Sequence, residues 1–150
     1  MGTVNFVIAD LNDLEKVVAE FLKIYPKGGV FGLTGPLGVG KTTWVKAIVR
    51  EMVRRNQGQM PRVISPSFVV HQSYGTTPPV EHFDFYRLEL QTPESLIEIG
   101  YWDAFEKATL ERGYVFVEWP EKANLKALKL SAYCRFGFGA VEGQRVLEVT

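Results

Sequence analysis

Cysteine is almost missing from this chain. Cys134 stands alone in 150 residues, so neither an internal disulfide nor a cysteine-rich zinc site can form. That scarcity fits a reducing compartment. Charge of one sign is missing too: 17 basic residues balance 17 acidic ones. The balance excludes a global positive field for nucleic acid and leaves room only for local patches. No run approaches the ~18 apolar residues of a membrane span. The opening stretch MGTVNFVIADLNDLEKVV meets acids early and has no basic segment ahead of an apolar run, so no secretion signal is expected. Phe6 stands where a myristoylation signal wants a hydroxyl. Repeats, low-complexity tracts and linkers are also absent. The expectation is one cytoplasmic domain over residues 1–150, with no membrane attachment.

What is present is a globular composition, 46% hydrophobic and 23% charged. Residues 4–8 read as a short strand. Asp10 or Asn12 can cap a helix from about Leu11 to Tyr25, with Leu14, Val17, Val18, Phe21 and Leu22 at helical spacing. Val30 to Thr34 reads as a buried strand. Lys41 to about Asn56 reads as a helix with Trp44, Val45, Ile48, Val49 and Met52 on one side. Residues 81–86 alternate, with Phe83 and Phe85 on one face and His82, Asp84 and Tyr86 on a polar face. Thr92 and Pro93 start a helix. A further helix over Tyr101–Glu111, closed by Gly113, leads into an apolar run at Tyr114–Val117 that ends on Glu118. Alternation from Leu128 to Phe136, a glycine-containing turn and Val146–Val149 predict an antiparallel hairpin. The fold class expected is α/β: a mostly parallel sheet flanked by helices, with an antiparallel C-terminal hairpin.

Gly35-Pro36-Leu37-Gly38-Val39-Gly40-Lys41-Thr42 satisfies G-x-x-x-x-G-K-[ST], with a strand before it and a helix after. Glycines at 35, 38 and 40 allow positive φ and close approach of backbone to phosphate. Successive N–H groups form an anion nest, and the helix N-terminus adds its partial charge. Lys41 is expected on the β- and γ-phosphates, Thr42 on Mg²⁺ and Thr43 on the α-phosphate. The alternative is a glycine-rich turn that binds nothing.

A Mg²⁺–nucleotide site also needs an acid at a neighbouring strand end, and Glu118 supplies one. Trp119 follows it, next to the nucleotide or in plain core packing. Asp84 can orient the attacking water or hold a metal-bound one, or lie on a solvated strand face. Ser65-Pro66-Ser67-Phe68 is a loop whose hydroxyls can read a γ-phosphate as switch loops do. His71 is read as structural and Cys134 as inert core. Lys46, Arg50, Arg54 and Arg55 are read as a solvated helix face, with a polyanion contact as the alternative.

The ordered set G-P-L-G-V-G-K-T-T, S-P-S-F, H-F-D-F-Y-R-L and V-E-W-P-E resembles the TsaE (formerly YjeE) family over about residues 5–121. That resemblance implies a P-loop fold, Mg-ATP hydrolysis and a role in tRNA threonylcarbamoyladenosine (t6A37) formation. It implies TsaB and TsaD as partners, tRNA reached through them, and ATP turnover that resets the complex between cycles. Carried onto this chain, it makes Thr42 and Glu118 metal residues, places Trp119 at the nucleotide, and gives Asp84, Lys41 and Ser67 catalytic roles. The chain departs from the family pattern at Pro36, where an acid is usual, and at Ser67, where threonine is usual. A family arginine in the hairpin aligns with Gln144, beside Arg145.

A small-metabolite P-loop kinase is the runner-up, but no lid with paired arginines is evident. A GTPase lacks its N-K-x-D motif here. A nucleotide-dependent interaction module would keep Lys41 and Thr42 without needing Asp84.

Overall fold

The computed structural model describes residues 2–56, 70–89 and 92–150. Its strands are β1 (Val4–Ile8), β2 (Gly29–Thr34), β3 (His71–Tyr74), β4 (Val80–Asp84), β5 (Tyr114–Glu118), β6 (Ala132–Phe138) and β7 (Arg145–Val149). Its helices are α1 (Leu11–Ile24), α2 (Lys41–Arg55), α3 (Pro93–Glu98) and α4 (Tyr101–Glu111). The seven strands form one sheet in the order β1-β7-β6-β2-β5-β4-β3. The central four, β6, β2, β5 and β4, run parallel. The edges β7, β1 and β3 join by antiparallel pairing.

Helix α1 starts where its capping chemistry dictates. Asp10 Oδ1 accepts from Asp13 N at 2.9 Å, which satisfies one orphan amide of the first turn, and Asp13 Oδ2 accepts from Ala9 N at 2.9 Å, just ahead of the cap. Its buried side is Leu14, Val17, Val18, Phe21 and Leu22, as the helical spacing requires. Together with α2 it covers one face of the sheet, where Phe21, Phe31, Trp44, Phe116 and Cys134 are fully buried. Helix α4 covers the other face over Phe83, Val115 and Val117. On the surface of α2, Arg54 and Arg55 both pair with Glu51.

Three expectations need correction, and one strand was not expected. Strand β4 ends at Asp84, not residue 86, and neither of its faces is solvated. His82 is 7% exposed and Glu81 1%, because α2 packs on one side and α4 on the other. Strand β3 was not read from the sequence. Its segment HQSY has no apolar alternation, and beside its antiparallel ladder to β4 it is held by side-chain bonds to Glu81, from Ser73 at 2.8 Å and with His71 at 2.6 Å. The hairpin's first strand begins at Ala132. Leu125–Leu128 is a 3-10 turn capped by Asn124, and left-handed Lys129 (φ 54°) breaks the alternation. Leu128 is buried all the same, in the core beneath α4. Finally, left-handed Arg112 (φ 56°) caps α4. Gly113 serves close approach instead: a Cβ there would lie 2.5 Å from Pro79 O.

Candidate nucleotide site

The parallel strands β2, β5 and β4 end side by side, and the loop after β2 turns straight into α2. This is where ligands bind in open α/β sheets. The loop is Gly35–Gly40. Gly35, Gly38 and Gly40 have φ of 141°, 78° and 115°, conformations that suit glycine. A Cβ on Gly35 would sit 2.5 Å from Phe136 O, so the loop is pressed against β6. Pro36, Leu37 and Gly38 are exposed, whereas Val39 is buried and anchors the loop. Pro36 leaves one amide fewer for an anion but lends its carbonyl to Val39 N at 3.3 Å.

Lys41 opens α2 and is only 4% exposed. Its ammonium donates to the carbonyls of Gly35 and Pro36 and lies 4.0 Å from the centroid of the Trp119 ring. Desolvation pushes its pKa below the usual lysine value, against the pull of Glu118, Glu121 and Asp84. Thr42 donates from Oγ1 to Glu118 Oε2 at 2.8 Å. The same carboxylate oxygen meets His82 Nε2 at 2.6 Å. Asp84 faces Glu118 across the β4–β5 ladder. Its Oδ1 accepts from Tyr86 N at 3.0 Å, an Asx turn that aims the chain away from the sheet. Trp119 adopts the left-handed conformation (φ 57°), rare for a bulky residue and found mostly where a site demands it. Its ring leans on Tyr86, 5.0 Å between centroids.

These residues line a cavity of about 230 Å³ that runs from Leu37 through Lys41, Thr42 and Thr43 to Asp84, Tyr86, Glu118 and Trp119. On the opposite side of the loop lies a second cavity, of about 340 Å³. Gly38, Gly40 and Thr43 line both. The second is walled by Ile8, Leu11, Leu14 and Phe136, with Asp10 and Arg145 as polar edges. Sequence reading missed it. Asp10 and Leu11 signalled only a helix start, and their approach to the loop is a tertiary contact without a local signature. Arg145 donates from Nε to Val39 O at 3.0 Å, whereas Gln144 turns back to accept from Ala140 N. Arg145 is thus the hairpin residue that reaches the loop. Ser65–Phe68, including Ser67, lies outside the described residues.

The oxygen donors fit a hard divalent cation. The Thr42 proton is committed to Glu118, which leaves the hydroxyl lone pairs available. Among the described residues no group of three or more His, Cys, Asp or Glu could hold a metal by itself. Mg²⁺ needs no such cage, since it keeps several waters and takes one or two protein oxygens plus substrate phosphates.

The solved structure of Bacillus subtilis YdiB is similar to this chain, with a TM-score of 0.60 and 18% identity over 99% of this chain and 84% of that one. At that identity the likeness shows the fold. None of the curated proteins matches the sequence. No helix among the described residues is long and apolar enough to cross a membrane. The family model of the threonylcarbamoyl adenosine biosynthesis protein TsaE matches residues 8–144. The chain therefore belongs to the TsaE family, a P-loop ATPase-like family with a role in threonylcarbamoyladenosine biosynthesis.

Proposed function

We propose that this chain is a cytoplasmic Mg-dependent ATPase that acts with TsaB and TsaD homologues in t6A37 formation. Its hydrolysis cycle resets that complex between turnovers, and tRNA is met through the complex. The observation that carries this reading is the convergence of the glycine loop, Lys41, Thr42, Glu118 and Asp84 on one cavity.

The base of ATP enters the apolar cavity between α1 and the hairpin, with Arg145 at its edge. The triphosphate crosses the loop, where Gly38, Gly40 and Thr43 face both cavities. Lys41 exchanges its backbone carbonyls for phosphate oxygens, a charge-assisted and stronger bond. Thr42 and Glu118 would hold Mg²⁺, whose charge would offset that of the phosphates. Asp84 orients the attacking water at the far end of the cavity, and the Ser67 hydroxyl reads the γ-phosphate.

The test is reconstitution of t6A formation with TsaB, TsaD, tRNA and the activated threonylcarbamoyl donor. With this chain, product should accumulate past one equivalent of complex; without it, formation should stop near one turnover. Equal multiple-turnover yields in both arms would refute the reading.

A further inference from the structure

Glu118 is 4% exposed, yet it carries a carboxylate. A buried carboxylate must be satisfied by donors, and charge-assisted donors are the strongest. Two side-chain donors converge on one of its oxygens. Thr42 Oγ1 approaches Oε2 from the cavity side at 2.8 Å, and His82 Nε2 approaches it from within the fold at 2.6 Å. The sheet register sets up the second contact. Asp84 is directly opposite Glu118 and His82 opposite Phe116, so His82 and Glu118 are diagonal neighbours on one face. The imidazole is itself only 7% exposed, on the face where α2 packs. It has no room to turn away into solvent.

We propose that His82 is a positioning residue. It fixes Glu118 Oε2 from behind, so that the carboxylate stands ready for Thr42 and for the divalent cation that accompanies the nucleotide. The proposal rests on the nucleotide reading above and deepens it. Without His82, the buried oxygen keeps the Thr42 proton as its one side-chain partner, and the carboxylate can rotate out of the orientation that serves the cation. The ring need not touch nucleotide, water or metal to have this effect. Residues that orient a metal-binding group typically contribute about 10–100-fold to metal affinity or activity.

The experiment measures ATP binding to the whole chain by calorimetry, once with Mg²⁺ and once with EDTA. The ratio of the two affinities is the magnesium gain. His82→Leu should bind ATP in EDTA as the wild type does and lose roughly 10–100-fold of the magnesium gain. His82→Gln, whose amide nitrogen can stand where Nε2 does, should restore most of it. An unchanged gain in His82→Leu overturns the proposal. If His82→Leu does not fold, as judged by its melting curve, His82→Gln is compared with the shorter His82→Asn. A gain kept in Gln and lost in Asn supports positioning, and equal gains overturn it. Glu118→Gln distinguishes the two levels of failure. If Glu118→Gln also keeps the full gain, the metal assignment itself falls; if only the His82 variants keep it, the positioning role falls alone.

Discussion

Lys41 and Trp119 are locked face-on, with the ammonium 4.0 Å from the centre of the indole. Cation–π attraction at such a distance is worth about 0.5–2 kcal/mol. The pair also ties the end of β5 to the start of α2. When Lys41 reaches for phosphate it must leave or tilt against that ring. Nucleotide binding should therefore change Trp119 emission. The chain has three tryptophans, and Trp44 is fully buried away from the cavity. The signal should disappear in Trp119→Phe and survive in Trp102→Phe. A response that survives in Trp119→Phe would refute the coupling.

The depressed pKa of Lys41 makes a linkage prediction. Desolvation lowers it from 10.5 in the folded chain. In the alkaline range between the folded and unfolded values, the unfolded chain binds more protons. The stability of the free protein due to this group therefore rises with pH through that window. Phosphate has the opposite effect, because it favours the charged ammonium. Binding of ATP just below pH 10.5 should then take up protons, visible as a dependence of binding heat on buffer ionisation enthalpy. Lys41→Ala should lose ATP binding altogether. Zero proton uptake in that range would contradict the geometry.

Glu118 and Asp84 face each other across the ladder but should behave differently. Glu118→Gln removes the charge next to Thr42 and should lower apparent Mg²⁺ affinity. Asp84 has one oxygen occupied by the Tyr86 amide and the cavity in front of it. Asp84→Ala should retain nucleotide and hydrolyse it about 10²–10⁴-fold more slowly, the usual contribution of a positioned acid–base group. Single-turnover hydrolysis measured alongside ATP affinity decides the matter. Unchanged turnover in Asp84→Ala would remove that residue from the mechanism and favour an interaction module whose hydrolysis is incidental.

Cys134 should be chemically silent in the native protein. It is fully buried in the core between β2 and β7, and burial pushes its thiol far above the ordinary range. The thiolate is the reactive form, so alkylation should follow unfolding rather than time. Rapid labelling of the folded chain by iodoacetamide would show that this core opens locally.

The residues in periodic or motif-bearing segments are legible in the sequence itself. α1 showed its buried face at 3.6-residue spacing, and the loop from Gly35 to Thr42 announced both its turn and the helix after it. Glu118 was legible as the polar end of an apolar run. His82 was not, because alternation in β4 looks the same whether the second face meets water or another helix. Only the packing of α2 and α4 on the two faces of the sheet says that it is covered. β3 stayed hidden because its residues HQSY carry no apolar alternation, and the side chains that reinforce its backbone ladder to β4 are polar groups around Glu81. The cavity beside Arg145 depends on three segments far apart in sequence, and no local pattern encodes their meeting.

The chain alone should hydrolyse ATP poorly and gain speed from its partners. Charge developing on a transferring phosphoryl group needs compensation beyond a loop lysine and Mg²⁺. Among the described residues lining the phosphate-side cavity, Lys41 is the only cation. Arg145 is bound to Val39 O on the other side of the loop, and Arg87 is exposed after the Asp84 turn. At the same time Leu37 (67% exposed) and Tyr86 (43%) stand at the rim of the cavity. Apolar groups around an open polar cleft are suited to a protein surface that closes over it. A positive group or an ordered loop delivered there would supply what the chain lacks, and arginine fingers contribute roughly 10³–10⁵ in rate. Hydrolysis should be assayed for the chain alone, with the TsaB–TsaD pair, and with tRNA alone. The pair should stimulate strongly, and Leu37→Ala, which removes the exposed apolar group without adding charge beside the phosphates, should reduce that stimulation while leaving ATP affinity close to wild type. Strong stimulation by tRNA alone, with none from the protein pair, would instead mean that the chain reads RNA directly, despite 17 acids matched to 17 bases.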